Sequence, residues 1–473
     1  MSGLLSSLQS SVQALNAQSY AINISGKNVA NLDNAGYSKE TVVFGSSGSV
    51  QTTDGVISEG ISIQGVTQSR DALRDAQVAR EISLTSSLQT QEQFLQEAQT
   101  GLGENITNTS STSATTGATA SSGGLSASLD NFFNAFQSLA AAPTDPGQKQ
   151  ALVQQAAILT NSFQIADGNL AQVQGDLTAQ IQNNVADANQ QLQTIATINA
   201  QIAALESGHP GTAVDLRDQR ESAIEKLAAD VPITTTSGPN GSVQVSMTDP
   251  SGGNVPLVMG ATVTGPLSFS GSTLTGGASA SALQISSGSV YGALSVRDGA
   301  VQTMRGSLDS LASQIVTSVN AAYNPSATPG ADFFNPAGTS AGTIALSGSL
   351  SASSLVAGTG AAGDNSIALA VAAVANQVFS TGSGDSIDGT PSQFYSGAVS
   401  GLGQSLSSTN SLLQNQTSVQ ALVTSQRDNV SGVSLDEEMG NLMKYQSAYQ
   451  ASARVMSTVD SLLSTLINNT GSP

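Results

Sequence analysis

The chain has no cysteine, which excludes disulfide staples and thiolate metal sites. Its one histidine, His209, lies in the loop sequence Ser-Gly-His-Pro-Gly, where nothing nearby completes a catalytic triad or a zinc site. We read it as a solvent-exposed loop residue. Basic residues are also scarce: fourteen against thirty-three acids, for a net charge of -19 over 473 residues. That balance makes nucleic acid and anionic membranes poor partners and favours solubility. No apolar run approaches the length of a membrane span. The first thirty residues lack the basic region and continuous apolar core of a secretory signal peptide, and the first charged residue is Lys27. Export, if it occurs, is expected to read an uncleaved amphipathic N-terminus. Glycine-rich pieces such as GSGDSIDGT carry neither the lysine of a phosphate loop nor the closing glutamate of a calcium loop. No cofactor, metal or catalytic residue is expected. The Asn-x-Ser/Thr matches at Asn105 and Asn108 carry no weight in so Ser- and Thr-rich a chain.

What the chain does have is a pair of matching apolar seams, one at each end. Leu5, Leu8, Val12, Leu15, Ser19, Ile22, Gly26 and Val29 recur at alternating spacings of three and four, the pattern of a coiled-coil helix. Leu435, Glu438, Leu442, Tyr445, Tyr449, Ser452, Met456, Val459, Leu463 and Leu466 repeat it at the other end. Neither end would make a stable fold alone, so the two are expected to pair with each other and with neighbouring copies.

Between them the pattern changes several times. Asn31 to Tyr37 reads as a turn-rich break, followed by two short strands, Thr41 to Phe44 and Gly60 to Val66. Residues 70–102 read as helix, and residues 107–124, built only from Thr, Asn, Ser, Ala and Gly, as a flexible loop. Residues 125–229 are helix-rich, with a break near Pro143 and Pro146. A long amphipathic helix is traced by Ile181, Val185, Ala188, Leu192, Ile195, Ile198, Ile202 and Leu205. It stops at Gly208 to Gly211, and a further helix follows from Leu216 to Ala229. From Val231 to Val296 the only charge is Asp249, and alternation such as Ser242 to Met247 predicts a compact β-rich insert. Helix returns from Gly299 to Tyr323. Residues 324–393 are rich in Gly, Ser and Ala, with strand hints at Ile344 and Leu346 and a helix at 366–379. The rest is helical.

The expected fold is therefore α+β and multidomain, with paired terminal coiled-coil helices, an elongated helical-bundle domain and an inserted β-rich outer domain. The boundaries read as 1–33 with 434–473 for the terminal domain, 34–230, 297–335 and 395–433 for the helical domain, and 231–296 for the insert. Residues 336–394 form a Gly/Ser/Ala-rich segment that could belong to the outer region. The mixed charges Asp215, Arg217, Asp218, Arg220 and Glu221, close together on one helix, read as local ion pairs. Asp436, Glu437 and Glu438 suit a helix N-terminus, either favouring the positive end of its dipole or forming a plain solvated start. Gly36 with Tyr37 reads as a tight turn whose ring either faces a neighbour or packs on its own strand.

The run NVANLDNAGYSKE, Asn28 to Glu40, resembles the signature that follows the first helix of bacterial flagellar axial proteins, here with Asn34 where that family usually carries Thr. Asn28, Ala30, Asn31, Gly36 and Tyr37 carry the likeness. The closing segment SGVSLDEEMGNLMKYQSAYQASARVMSTVDSLLSTL, with Asp436, Glu437 and Glu438 near its start, is similar to the last helix of the same proteins. Interior segments resemble the hook-associated branch: GLSASLDNFFNAFQSLAAAPTDPGQKQAL at Gly124 to Leu152, INAQI at Ile198 to Ile202, DLRDQRE at Asp215 to Glu221, and DFF at Asp332 to Phe334.

The resemblance implies a non-enzymatic structural adaptor, outside the cell and exported without a cleaved signal peptide, that self-associates in a ring or short tubular layer at the hook tip. Its implied partners are the hook protein, hook-associated protein 3 and a cytoplasmic export chaperone that shields the last helix, with no nucleic acid and no membrane insertion. The assembly interface would be Leu5, Leu8, Val12, Leu15, Ile22, Val29, Leu435, Leu442, Tyr445, Tyr449, Met456, Val459, Leu463 and Leu466. A hook or rod subunit, a cell-wall-acting enzyme on an axial scaffold and a surface adhesin are the alternatives.

Overall fold

The computed structural model describes residues 2–34, 36–52, 55–58, 60–103, 124–208, 211–360 and 363–470. The loop expected at 107–124 lies, but for Gly124, outside them, as do Asn105, Asn108 and His209. The described residues are mostly helical with small antiparallel sheets, as the α+β reading requires. They fall into two compact units. The first comprises residues 1–85, 184–288 and 416–473, and the second residues 86–183 and 289–415.

The first unit begins with α1 (Ser2–Ala30), whose alanines and serines suit close helix packing. The two expected strands are present as β1 (Glu40–Ser46) and β4 (Ile61–Gln68), paired antiparallel, with Val42 opposite Val66 and a register shift at Val43/Phe44. A small hairpin, β2 (Ser49–Thr52) and β3 (Gly55–Ser58), lies between them in sequence. α2 (Ala72–Gly101), α4 (Pro146–Leu205) and α9 (Pro391–Ser431) contribute residues to both units. α5 (Val214–Asp230) follows the break at Gly208 to Gly211. α10 (Leu435–Thr470) ends the chain and packs along α1.

The weakly charged stretch after Val231 is β-rich. β5 (Thr234–Ser237), β6 (Val243–Thr248), β7 (Asn254–Met259) and β8 (Thr262–Val263) form one antiparallel meander in chain order. β9 (Ser268–Ser270), β10 (Thr273–Gly276) and β11 (Ser281–Ala282) form a second. Val245, Met247, Leu257, Val258, Leu267 and Leu274 are buried, and the burial runs through consecutive residues at Val245–Met247 and Leu257–Val258 rather than alternating.

The second unit is centred on aromatic rings. α3 (Leu125–Ala141) carries Phe132, Phe133 and Phe136 on one face. Phe132 and Phe136 meet Phe333 with ring centroids 5.8 and 5.3 Å apart, and Phe333 lies 5.0 Å from Phe334 and 5.3 Å from Tyr323. Such edge-on and tilted contacts match the ring quadrupoles. α6 (Gly288–Ser295) leads through a π-helical turn at Val296–Val301 into α7 (Gln302–Tyr323). In the Gly-rich stretch, Leu346 bridges Phe334 rather than joining a longer strand, and the expected helix is α8 (Ser366–Ala373) with a 3-10 turn to Asn376.

Candidate functional site

The motif Asn28 to Glu40 folds as a hydrogen-bonded knot between α1, β1, α5 and the α9–α10 turn. Asn28 sits one turn before the end of α1, which buries its amide against the start of β1. Its Nδ2 donates to the Glu40 carbonyl at 2.9 Å, while Oδ1 accepts from the Glu40 N–H at 3.0 Å and from the Tyr37 hydroxyl at 2.6 Å. The side chain thus does for Glu40 what a neighbouring strand would do. Tyr37 is half-buried against its own chain, with the Lys27 ammonium 5.9 Å from its ring centroid. Burial and the surrounding carboxylates push its hydroxyl pKa well up. Asn31 donates to the Lys27 carbonyl, the Gly36 N–H donates to Asn34 Oδ1, and Ala30 is exposed.

Charge closes the knot. Lys27 bridges Glu40 at 2.6 Å and Asp215 at 2.7 Å. Arg70 reaches Asp75, Asp218 and Glu221 at 3.7, 3.4 and 3.2 Å, and Asp218 also accepts from the Ser38 N–H and from Gln68. Arg217 grips Glu206 with two hydrogen bonds at 3.0 and 2.8 Å, and Arg427 reaches Glu225. The charges of α5 are therefore not the local ion pairs expected from their spacing. Each of Asp215, Arg217, Asp218 and Glu221 pairs with a residue of another segment, because α5 lies in the middle of the unit and turns its polar face toward α1, β4 and α2. Burial dominates the electrostatics: it raises the carboxyl pKa values of Glu40, Asp75 and Asp218 and takes Glu221 to about 7.

The knot also holds the two ends of the chain together. The Lys39 N–H donates to the Ser431 carbonyl at 2.8 Å, Ser69 Oγ to the Val430 carbonyl at 2.7 Å, and Lys39 Nζ lies 2.7 Å from Glu437 and 3.8 Å from Glu438. Glu438 is 1 % exposed, so only Asp436 and Glu437 behave as a solvated helix start. Farther along, Phe44 of β1 lies 6.2 Å from Tyr445 of α10, ring centroid to centroid.

The seams are divided differently from what their spacing suggests. On α10 the expected seam is the covered face: Glu438 and Val459 are buried, while Leu442, Tyr445, Ser452, Met456 and Leu463 are half-buried. Leu435, Tyr449 and Leu466 are exposed. On α1 the buried line runs one position to the side, through Ser11, Ala17, Ala21, Ser25 and Asn28. Leu8, Leu15, Ile22 and Val29 flank it half-buried, and Val12 is exposed; the side chain of Leu5 is outside the description. Small residues occupy the line of closest approach because bulky ones there would hold the neighbouring elements apart.

Sequence reading missed further exposed apolar residues on α10 on more than one side of the seam: Met439, Met443, Val455, Leu462 and Ile467, Met443 to 62 % and Ile467 to 63 %. Sequence reading also missed Lys27, Lys39, Arg70, Asn199 and Arg427. The clue was scarcity: six of only fourteen basic residues, counting Arg217 and Arg220, gather around these motifs. Among the described residues no cluster of acids and histidine could hold a metal ion, and no helix is long and apolar enough to cross a membrane.

Known proteins give this arrangement a context. Residues 111–334 match the family described as the flagellar hook-associated protein FlgK helical domain, and residues 424–469 that of the flagellar basal body rod FlgEFG protein C-terminal. Both descriptions are of flagellar structural proteins. Flagellar hook-associated protein 1 of Bacillus subtilis is 26 % identical over 530 aligned residues, covering 100 % of this chain and 99 % of that protein. The hook-associated protein 1 of Salmonella typhimurium is 27 % identical over 53 % of this chain and 42 % of its own length, and that of Escherichia coli K12 is 24 % identical over 54 % and 43 %. The chain thus spans under half the length of these two enterobacterial relatives. The solved hook junction protein FlgK from Burkholderia pseudomallei aligns with a TM-score of 0.46 at 21 % identity, over 55 % of this chain and 46 % of that one. These matches support a likeness to flagellar hook-associated protein 1.

Proposed function

We propose that this chain is a non-enzymatic structural adaptor that assembles at the tip of the flagellar hook and joins hook to filament. The observation that carries this reading is the set of exposed apolar side chains on α10, the helix that also packs along α1. A helix that leaves so many apolar side chains uncovered within its own subunit offers them to an assembly. The family match over residues 111–334 supports the hook-associated branch over a plain hook or rod subunit.

In this reading the terminal helices, residues 1–33 and 434–473, pair as a coiled-coil layer along the seams from Leu5 to Val29 and from Leu435 to Leu466. The helical segments 34–230, 297–335 and 395–433 form the elongated helical domain of the next shell, and the β-rich residues 231–296 an inserted outer domain. Copies form a ring or short tube, seated on hook protein and followed by hook-associated protein 3. Before export a cytoplasmic chaperone covers the last helix, whose bare apolar side chains would otherwise aggregate. The protein leaves the cell through the growing flagellum.

Deletion of the coding sequence tests the assignment. Hooks of normal length without filaments, with unpolymerised flagellin in the medium, are expected by electron microscopy and immunoblotting. Missing hooks would move the protein to the rod or hook, and normal filaments would refute the reading. Complementation with Met443→Glu plus Leu462→Glu should give folded, exported subunit that fails to restore filaments. Full restoration would remove these α10 side chains from the interface.

A further inference from the structure

A cleft of about 380 Å³ is lined by residues of β4, α5 and the edge strand β5, Arg220 and Val243 among them. Asn199 of α4, 1 % exposed, supports these two lining residues from outside the cleft. Its Nδ2 donates to the Val243 and Gly260 carbonyls, and its Oδ1 accepts from the Val243 N–H and from Arg220 Nη1 at 2.9 Å. The second Nη1 proton of Arg220 goes to the Gly241 carbonyl at 2.7 Å. Gly241 can come this close because it has no side chain: a Cβ there would stand 2.6 Å from Glu206 Oε2, and its φ is +72°.

Arg220 is 6 % exposed, and both of its protein acceptors are neutral. The other two arginines lining the cleft are answered by carboxylates, Arg217 by Glu206 and Arg70 by Asp75, Asp218 and Glu221. Among the described residues, none accepts from Arg220 Nε or Nη2, and those nitrogens are not sealed from solvent. Nε and Nη2 form the edge of a guanidinium that takes a carboxylate through two parallel hydrogen bonds. With Nη1 locked by Asn199 and Gly241, the guanidinium is held in place at the cleft, whose lining also includes Thr235, Thr236 and Ser237.

We propose that this cleft binds a carboxylate, held in bidentate fashion by Arg220 Nε and Nη2. This goes beyond the junction assignment and does not depend on it. The carboxylate comes either from a small free acid or from an Asp or Glu side chain of a second copy of the chain. The acids already lining the cleft, Asp75 and Glu221, are engaged with Arg70, so the cation that lacks an ion pair is Arg220.

The test uses the full chain labelled with 15N-arginine, following the Arg220 Nε–Hε resonance. That resonance is identified by its loss in Arg220→Lys, or by sequential assignment if this variant does not fold. Sodium acetate is titrated against sodium chloride at constant ionic strength. A saturable downfield shift with acetate alone, half-complete at about 1 to 10 mM, supports binding of a free carboxylate. If acetate is silent but the same shift develops with protein concentration, alongside a rising sedimentation coefficient, the second copy is the source. An unmoved resonance in both titrations, or an equal response to chloride, overturns the proposal.

Discussion

Replacing Asn28 by alanine should open the knot locally. The amide makes three hydrogen bonds, to both backbone groups of Glu40 and to the Tyr37 hydroxyl, at a position 1 % exposed. Each contributes about 0.5 to 1.5 kcal/mol net, and the groups left behind keep their desolvation cost. A loss of about 3 kcal/mol follows, roughly a 150-fold rise in the local opening constant. The readout is native-state amide exchange of the segment from Tyr37 to Val43, where the protection of the Glu40 amide should fall by that factor. Two controls separate packing from bonding. Tyr37→Phe removes one bond and should cost about 1 kcal/mol. Asn28→Asp keeps the size and the acceptor but turns an oxygen toward the Glu40 carbonyl and adds a buried charge beside Glu40, so it should cost as much as alanine. Protection within threefold of wild type in Asn28→Ala, or retained in Asn28→Asp, would refute this account of the motif.

Glu221, its carboxyl pKa raised to about 7 mainly by burial and then by Asp75, destabilises the fold where it is ionised. A raised carboxyl contributes stability below its unfolded value near 4.5 and loses it as pH climbs toward 7, so Glu221→Gln should be near neutral at pH 5 and stabilising at pH 8, by about 2 to 3 kcal/mol, as measured by urea unfolding at both values; an equal effect at both would contradict it. Phe333→Ala empties the centre of the ring cluster, where Phe333 is fully buried among Phe132, Phe136, Phe334 and Tyr323. It should cost about 3 to 5 kcal/mol and lower the calorimetric transition of the second unit by roughly 10 °C.

Local pattern alone determined much of this protein. The β-branched runs marked β1 and β4, the near-absence of charge after Val231 marked the sheet-forming stretch, and the spacing from Ile181 to Leu205 marked the C-terminal part of α4. Each is a property of consecutive residues: backbone preference, alternation, or one apolar face per turn. The family motifs were legible in the same way, as strings, but their physical role was not. Nothing in Asn28 to Glu40 shows that an amide replaces a missing strand, and nothing in Asp215 to Glu221 shows that four charges each pair outside their own helix. Some of those pairings join residues more than a hundred positions apart, as with Lys27 and Asp215 or Gln68 and Asp218. The same holds for α1, where spacing put the seam on the large apolar residues and packing put the smallest ones at the line of contact. Which face of an amphipathic helix is covered, and which cation lacks an ion pair, depends on what the rest of the chain brings against it, so only the tertiary structure decided them.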